Sequence, residues 1–306
     1  MKRFIPLKDT PKTKVIFETD LCEDVDDVGA LAILLDLVRR KKLNLAGISI
    51  NVNAPGEAAA ADVLLARFGL SSLPVCVWDG EELLQGEDSP YISFLSKQVR
   101  REVPKPQTPV DFYRDILSDA EDGGVTIISV GFFCNLDAAY RAMPQLFEQK
   151  VRRVIVMAGD FTREPPHAEY NVRKMADSAQ RFLNGFSGEI LYLPFEAGDR
   201  VITDLRDWPA GCGDPIYEAY RIHTKEKRTR PSWDPLTVDF AYWGENEYYL
   251  LSPWGRVTVQ ADSTTLFREE AGGNHAVVQL KRSFEETGRY ISNVIRRCCE
   301  EEEEHK

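Results

Sequence analysis

Six carboxylates crowd ten consecutive residues, as Glu18, Asp20, Glu23, Asp24, Asp26 and Asp27. They follow the apolar run Val15-Ile16-Phe17, which places the anions at the tip of a buried strand. Carboxylates held this close repel one another unless positive charge or water separates them. A hard divalent cation is the natural partner, because calcium and magnesium take oxygen ligands and calcium accepts an irregular loop. A purely structural reading is also open: Asp24 as a helix N-cap, with Asp26 and Asp27 in the first turn, would stabilise a helix by about 0.3–1 kcal/mol each. An EF-hand beginning at Asp20 is excluded, since its sixth and twelfth positions need glycine and glutamate and here hold Val25 and Leu31.

The elements around this cluster alternate. Short β-branched runs at 14–17, 45–50, 125–130, 151–157 and 190–193 are followed by amphipathic or alanine-rich stretches at 26–35, 57–68 and 136–143. That pattern predicts an α/β fold, a mostly parallel open sheet with helices on both faces and its site at the C-terminal ends of the strands. Past residue 245 the pattern changes. Residues 248–251 and 256–259 flank Ser252-Pro253-Trp254-Gly255 and read as a β-hairpin, part of a small β excursion over 245–280, before a closing helix at 284–297. A single domain over 1–306 is expected, with 300–306 a frayed acidic tail.

Composition narrows the function. The 306 residues are 43% hydrophobic and 28% charged, ordinary for a globular chain with a sizeable core. Net charge is −11, five of the negatives lying in the terminal run 300–304, so no basic footprint for nucleic acid or an anionic membrane is present. A small molecule or a metal suits such a surface better. Cys22, Cys76, Cys134, Cys212, Cys298 and Cys299 are scattered and include no C-x-x-C, which argues against a disulfide framework or a cysteine zinc site. The first residues lack a signal-like apolar run, no stretch approaches a membrane span, and a cytoplasmic location is the expectation.

Four segments, taken together, resemble the inosine-uridine preferring nucleoside hydrolase family. Glu18-Thr19-Asp20-Leu21-Cys22 followed by Asp26-Asp27 resembles the opening D-x-D-P-G-x-D-D, with glutamate first, Cys22 in place of glycine and two extra residues. Val130-Gly131-Phe132-Phe133-Cys134-Asn135 resembles T-G-G-x-T-N, Glu169-Tyr170-Asn171 resembles E-F-N, and Trp233-Asp234-Pro235 resembles H-D-P. The likeness spans residues 14 to 297. A haloacid-dehalogenase phosphatase would instead need an aspartate where Glu18 stands.

What the resemblance implies is calcium-dependent hydrolysis of the N-glycosidic bond of a ribonucleoside or related riboside. Calcium would be held by Asp20, Asp27, Asp234 and the Val130 carbonyl. Asp20 would act as general base toward the attacking water, Asp24 or Asp26 would bind ribose, and Glu169 and Asn171 would close over the sugar. The family would also imply a dimer or tetramer. The histidine that serves inosine-cleaving relatives as leaving-group acid is Trp233 here, which can stack on a base but cannot supply that proton. His167 is the candidate substitute, and Asn53 a further candidate for contact with substrate. The usual aspartate four residues after Asn171 is Met175, with Asp177 two further on. Asn51, Glu196 and Arg200 lie near strand ends, Arg200 within reach of Glu196, while His223 and His275 read as structural. Two other functions remain open: a catalytically weak relative that binds a ribosyl ligand or metal, and a metal-dependent phosphohydrolase.

Overall fold

The period of two in the apolar strands sets the architecture, because successive side chains of a strand face opposite sides of its sheet. In the computed structural model, which describes residues 4–80, 89–208 and 213–300, Val15 and Phe17 enter one hydrophobic core and Ile16 the other. Ile128 and Ile127, Ile155 and Val154, and Leu191 and Ile190 divide in the same way. Buried on both faces, such strands need helices on both sides.

The strands are β1 (Lys14–Thr19), β2 (Asn44–Ile50), β3 (Val75–Val77), β4 (Val125–Ser129), β5 (Val151–Met157), β6 (Glu189–Leu193), β7 (Ile202–Asp204), β8 (Thr229–Pro231), β9 (Tyr249–Leu251), β10 (Gly255–Val259), β11 (Thr265–Glu269) and β12 (His275–Leu280). The main sheet runs β11-β10-β12-β6-β5-β4-β1-β2-β3. From β12 to β3 every pairing is parallel. The open, mostly parallel sheet expected from the alternation is therefore present. Helices Asp26–Arg39, Glu57–Arg67, Asp234–Trp243 and Phe284–Cys299 pack on the face of Val15 and Phe17. Helices Pro109–Ser118, Cys134–Ala142 and Ala176–Gly185 cover the other.

The β excursion lies where expected but is wired differently. Residues 249–251 and 255–259 do not pair as a hairpin. Both lie antiparallel along β12, β9 at Val278 to Leu280 and β10 at His275, and the hairpin is β10 with β11. Ser252 explains the change: its N–H donates to the Val277 carbonyl and its Oγ accepts from the Val277 N–H, while Pro253 has no N–H to give. The chain thus steps along one edge of β12 instead of turning back on itself. A separate antiparallel pair, β7 with β8, stands beside the main sheet.

Asp24 does not cap the first long helix. Val25 occupies the N-cap position, and no side chain caps that end. Of the cysteines, Cys22, Cys76, Cys134, Cys298 and Cys299 are free, while Cys212 and the tail beyond Glu300 lie outside the described residues. No helix among the described residues is long and apolar enough to cross a membrane.

Candidate active site

Because β1, β4, β5 and β6 are parallel, their C-terminal tips meet along one edge of the sheet, and the residues just beyond them are Asp20, Val130, Ala158 and Pro194. A crevice of about 340 Å³ opens there, within the usual range for small-molecule sites. Asp20, Asp24, Asp26, Asp27, Val130, Glu169, Asn171, Trp233 and Asp234 all line it, drawn from four segments far apart in sequence. Asn53 and His167 do not. Asn53 is exposed, with Nδ2 3.5 Å from the Gly80 carbonyl, and His167 has Nδ1 3.6 Å from Asp160 Oδ2 and its ring 6.0 Å from Phe195.

Oxygens of Asp26, Asp27 and Asp234 lie within 4.8 Å of one another, and all three residues are buried. Thr19 Oγ1 donates to Asp27 Oδ1, but Asp27 Oδ2 is buried without a hydrogen-bond partner. Such an oxygen costs about 1–3 kcal/mol unless something positive or a donor meets it. Burial, with repulsion from the neighbouring carboxylates, raises the carboxyls of Asp20, Asp26, Asp27 and Asp234 well above the ordinary range. A divalent cation among them would reverse that shift by favouring the charged forms. All-oxygen donors and an orphaned buried oxygen together fit a hard cation.

Asp24 and Asp26 have different surroundings. Asp24 Oδ1 accepts from the Val25 N–H at 2.6 Å and from Arg230 Nε at 2.8 Å, with His223 Nε2 3.4 Å away, and Oδ2 takes the Arg230 Nη2 edge. Both of its oxygens are engaged. Asp26 Oδ2 accepts the N–H groups of Trp233 and Asp234 at 3.0 and 3.1 Å, which ties the start of helix Asp234–Trp243 to the start of Asp26–Arg39. Asp26 Oδ1 makes no hydrogen bond among the described residues.

Glu169 and Asn171 build the far wall. Glu169 caps helix Tyr170–Lys174, accepting from the N–H groups of Asn171 (2.9 Å), Val172 (3.2 Å) and Gly159 (3.3 Å), and burial raises its carboxyl to about 7. Asn171 Nδ2 donates to the carbonyls of Val130 (2.9 Å) and Met157 (3.1 Å), binding the tips of β4 and β5 to the capped helix. Gly131 permits the close approach of β4 to β1, because a Cβ there would lie 2.5 Å from the Asp20 nitrogen.

At the other end the lining is aromatic. Trp233 lies 5.5 Å from Phe195, its Nε1 donates to the Phe195 carbonyl at 2.9 Å, and the ring rests against Gly198, where a Cβ would meet Trp233 Cδ1 at 2.3 Å. Arg230 stands over the same ring, with Cζ 5.8 Å from its centroid. Sequence reasoning gave no role to Arg230, Phe195 or Met157, and named Glu23 and Tyr170 only within the carboxylate cluster and the Glu169-Tyr170-Asn171 motif; all five line the crevice. Nor did it find the support under it. Glu18 is fully buried and accepts from Tyr113 Oη (2.8 Å), Ser49 Oγ and Ser129 Oγ (3.1 Å each), and burial raises its carboxyl to about 8.

The remaining candidates lie outside the crevice. Asn51 Oδ1 accepts from the Phe132 N–H. Glu196 accepts from the Phe161 N–H, and Arg200 lies over the Phe284 ring at 4.5 Å instead of pairing with Glu196. His223 meets Tyr91 edge-on, and His275 Nδ1 accepts from the Val257 N–H.

Comparison with known proteins bears on the family and the fold. A family model described as inosine-uridine preferring nucleoside hydrolase matches residues 15–286. An uncharacterized protein of Schizosaccharomyces pombe is 25% identical over 204 residues, 63% of this chain, and the match spans 64% of that protein's own length. Among solved structures, a plant nucleoside hydrolase superposes with a TM-score of 0.74 at 20% identity, covering 94% of this chain and 99% of its own. An inosine-uridine preferring nucleoside hydrolase from Bacillus anthracis gives 0.66 at 18%, with coverage of 94% and 99%. At such identities the structural likeness speaks for the fold.

Proposed function

The chain belongs to the inosine-uridine preferring nucleoside hydrolase family, and from that premise we propose that it hydrolyses the N-glycosidic bond of a ribonucleoside or related riboside, with calcium as its cation, releasing ribose and free base. One observation carries the reading: buried carboxylates converge around an unpaired Asp27 oxygen at one end of a crevice whose other end is aromatic. A sugar rich in hydroxyls suits the first end and a heterocycle the second.

Asp20, Asp27, Asp234 and the Val130 carbonyl would hold the cation. That carbonyl already accepts from Asn171, and its second lone pair is available. When bound, the cation supplies positive charge that lowers the pKa of a water and orients ribose hydroxyls. Asp20 takes the proton of the attacking water. Asp26 binds ribose, since its Oδ1 is uncommitted whereas both oxygens of Asp24 are engaged by Arg230 and the backbone. Asn171, held by two strand tips, closes over the sugar, and Glu169 fixes the helix that carries it. Trp233 stacks on the base. A cytoplasmic salvage enzyme acting as a dimer or tetramer is the form this reading expects.

The test is an assay of reducing sugar with purine, pyrimidine and nicotinamide ribosides, with calcium and again with a calcium chelator. Ribose release that depends on calcium is expected. Tight binding of a ribose analogue with no sugar released would favour a ligand-binding relative, a reading that the loss of an acid at Trp233 keeps open. Phosphate release from model esters without free ribose would overturn both.

A further inference from the structure

The sheet edge that carries the crevice continues past it. β12 runs parallel to β6, so its C-terminal tip lies on the same side of the sheet. A second cavity, of about 500 Å³, opens against these two tips, at Pro194 and at Val277 to Leu280. Open parallel sheets bind ligands along this edge. The short helix Phe195–Gly198 divides the two spaces: Phe195 lines the crevice, whereas Glu196 and Ala197 line the second cavity.

The chemistry of the second cavity is its own. Its walls are mainly apolar and include the rings of Phe161, Phe267 and Phe284, and its charged residues are Glu196 and Glu269. Among the described residues that line it there is no lysine, arginine or histidine. Glu196 is partly buried, and its carboxylate takes a single donor, the Phe161 N–H, 3.2 Å from Oε1 and 3.4 Å from Oε2. A carboxylate can accept about four. Burial, with the charge of Asp160, raises its carboxyl to about 7. The nearby cations are committed elsewhere. Arg163 pairs with Asp160 at 3.2 Å and stands over Phe195, and Arg200, over the Phe284 ring, lines a different cavity. An anion held against apolar walls is costly unless a cation meets it, and phenyl faces attract a cation as well.

We propose that this cavity is a second binding site, for a small organic ammonium with an aromatic or apolar body. The ammonium meets the Glu196 carboxylate, and the body lies against the phenyl rings. Glu269, which is exposed, adds attraction at the rim. The inference stands apart from the ribohydrolase reading, because the cavity and the crevice have no lining residue in common. For the same reason both can be filled at once, an ammonium in one and a sugar in the other.

The full chain, with calcium present and at a pH above the raised value of Glu196, is titrated calorimetrically with phenethylamine and with phenethyl alcohol, a neutral molecule of the same shape. The ammonium should bind at one site, roughly 10- to 100-fold more tightly than the alcohol, as a charge-assisted hydrogen bond would give. Glu196→Gln, which keeps an acceptor for the Phe161 N–H, should close that gap while leaving the affinity for the alcohol unchanged, and the alcohol thereby reports an intact cavity. Glu269→Lys, a charge reversal at an exposed position, should weaken the ammonium alone. Ribose should displace neither ligand. Equal affinities in wild type, no saturable binding of the ammonium, or a gap that survives both substitutions would overturn the proposal. So would displacement of the ammonium by ribose, which would put it among the carboxylates of the crevice instead.

Discussion

The two ends of the crevice are made in different ways. The acidic end is built from buried side chains at strand tips and helix starts, each secured by backbone: Asp26 by two amides, Glu169 by three, Asn171 by two carbonyls. The aromatic end is built from side chains that keep some exposure, Phe195, Trp233 and Arg230, carried by the short helix after β6, the N-cap of helix Asp234–Trp243 and the strand β8 beside the main sheet. Displacing a group at the first end means deforming the sheet, whereas a change at the second needs only a different side chain. On the proposed reading the groups that would cleave the bond are the more deeply built, and the two sets meet only where Asp24 holds Arg230 and Asp26 holds the Trp233 N–H.

Substitutions at the acidic end should give the largest losses. Asp27→Asn removes charge from the oxygen that has no other partner, and should cost several kcal/mol of transition-state stabilisation, on the order of 10³-fold or more in kcat/KM. Isothermal titration with calcium should show the matching loss of cation binding. If calcium still binds with wild-type affinity, Asp27 is not a ligand. Next in size is Asp20→Asn, expected to lower turnover by about 10²–10⁴ while a ribose analogue still binds. Wild-type turnover in that variant would remove Asp20 from the role of base.

A third and smaller effect tests the underside of the molecule. Burial raises the carboxyl of Asp239, which accepts from Tyr249 (2.8 Å) and Tyr290 (3.1 Å), to about 7. A carboxyl raised on folding stabilises the native state while protonated. Its contribution is complete below the unfolded value near 4 and is lost as pH rises through about 7. Urea midpoints of wild type should fall between pH 5 and pH 8 by the equivalent of roughly 2–4 kcal/mol, and Asp239→Asn should flatten the slope. Parallel slopes would show that Asp239 is not the group responsible. The smallest effect is expected at His167, which lies outside the crevice lining. A leaving-group acid would be worth about 10²–10⁴ on poor leaving groups, whereas a half-exposed loop residue should change rates by no more than about threefold. A loss of a hundredfold on inosine in His167→Ala would return it to the mechanism and weaken the separation of the two ends.

The acidic end was legible because its chemistry is local. Six carboxylates after a buried strand advertise themselves, and Val130, Glu169 with Asn171, and Asp234 each sit beside a recognisable turn. The base end was not, because Arg230 is explained by Asp24, 206 residues away, and no spacing within a single segment encodes that contact. His167 and Asn53 follow strand ends in sequence, yet neither lines the crevice, and position after a strand does not by itself tell which way a loop residue faces. In the fold, the alternation of strands and helices carried through to seven parallel strands. The hairpin at 248–259 misled because two short strands flanking Pro253 suit a turn and a stepwise edge equally well, and the difference lies in Ser252 meeting Val277.

The position of β12 has a bearing on how the chain comes off the ribosome. β6 ends at Leu193, yet its parallel neighbour begins only at His275. Until those residues emerge, one flank of β6 offers unpaired backbone amides and carbonyls to whatever else is near. Asp234 likewise arrives more than two hundred residues after Asp20 and Asp27. A nascent chain paused between them would carry the crowded carboxylates without the residue that completes their cluster. The late strand thus makes synthesis through residue 275 a condition for closing both the sheet and the site, and a ribosome stalled short of it should display a protease-sensitive, chaperone-binding intermediate.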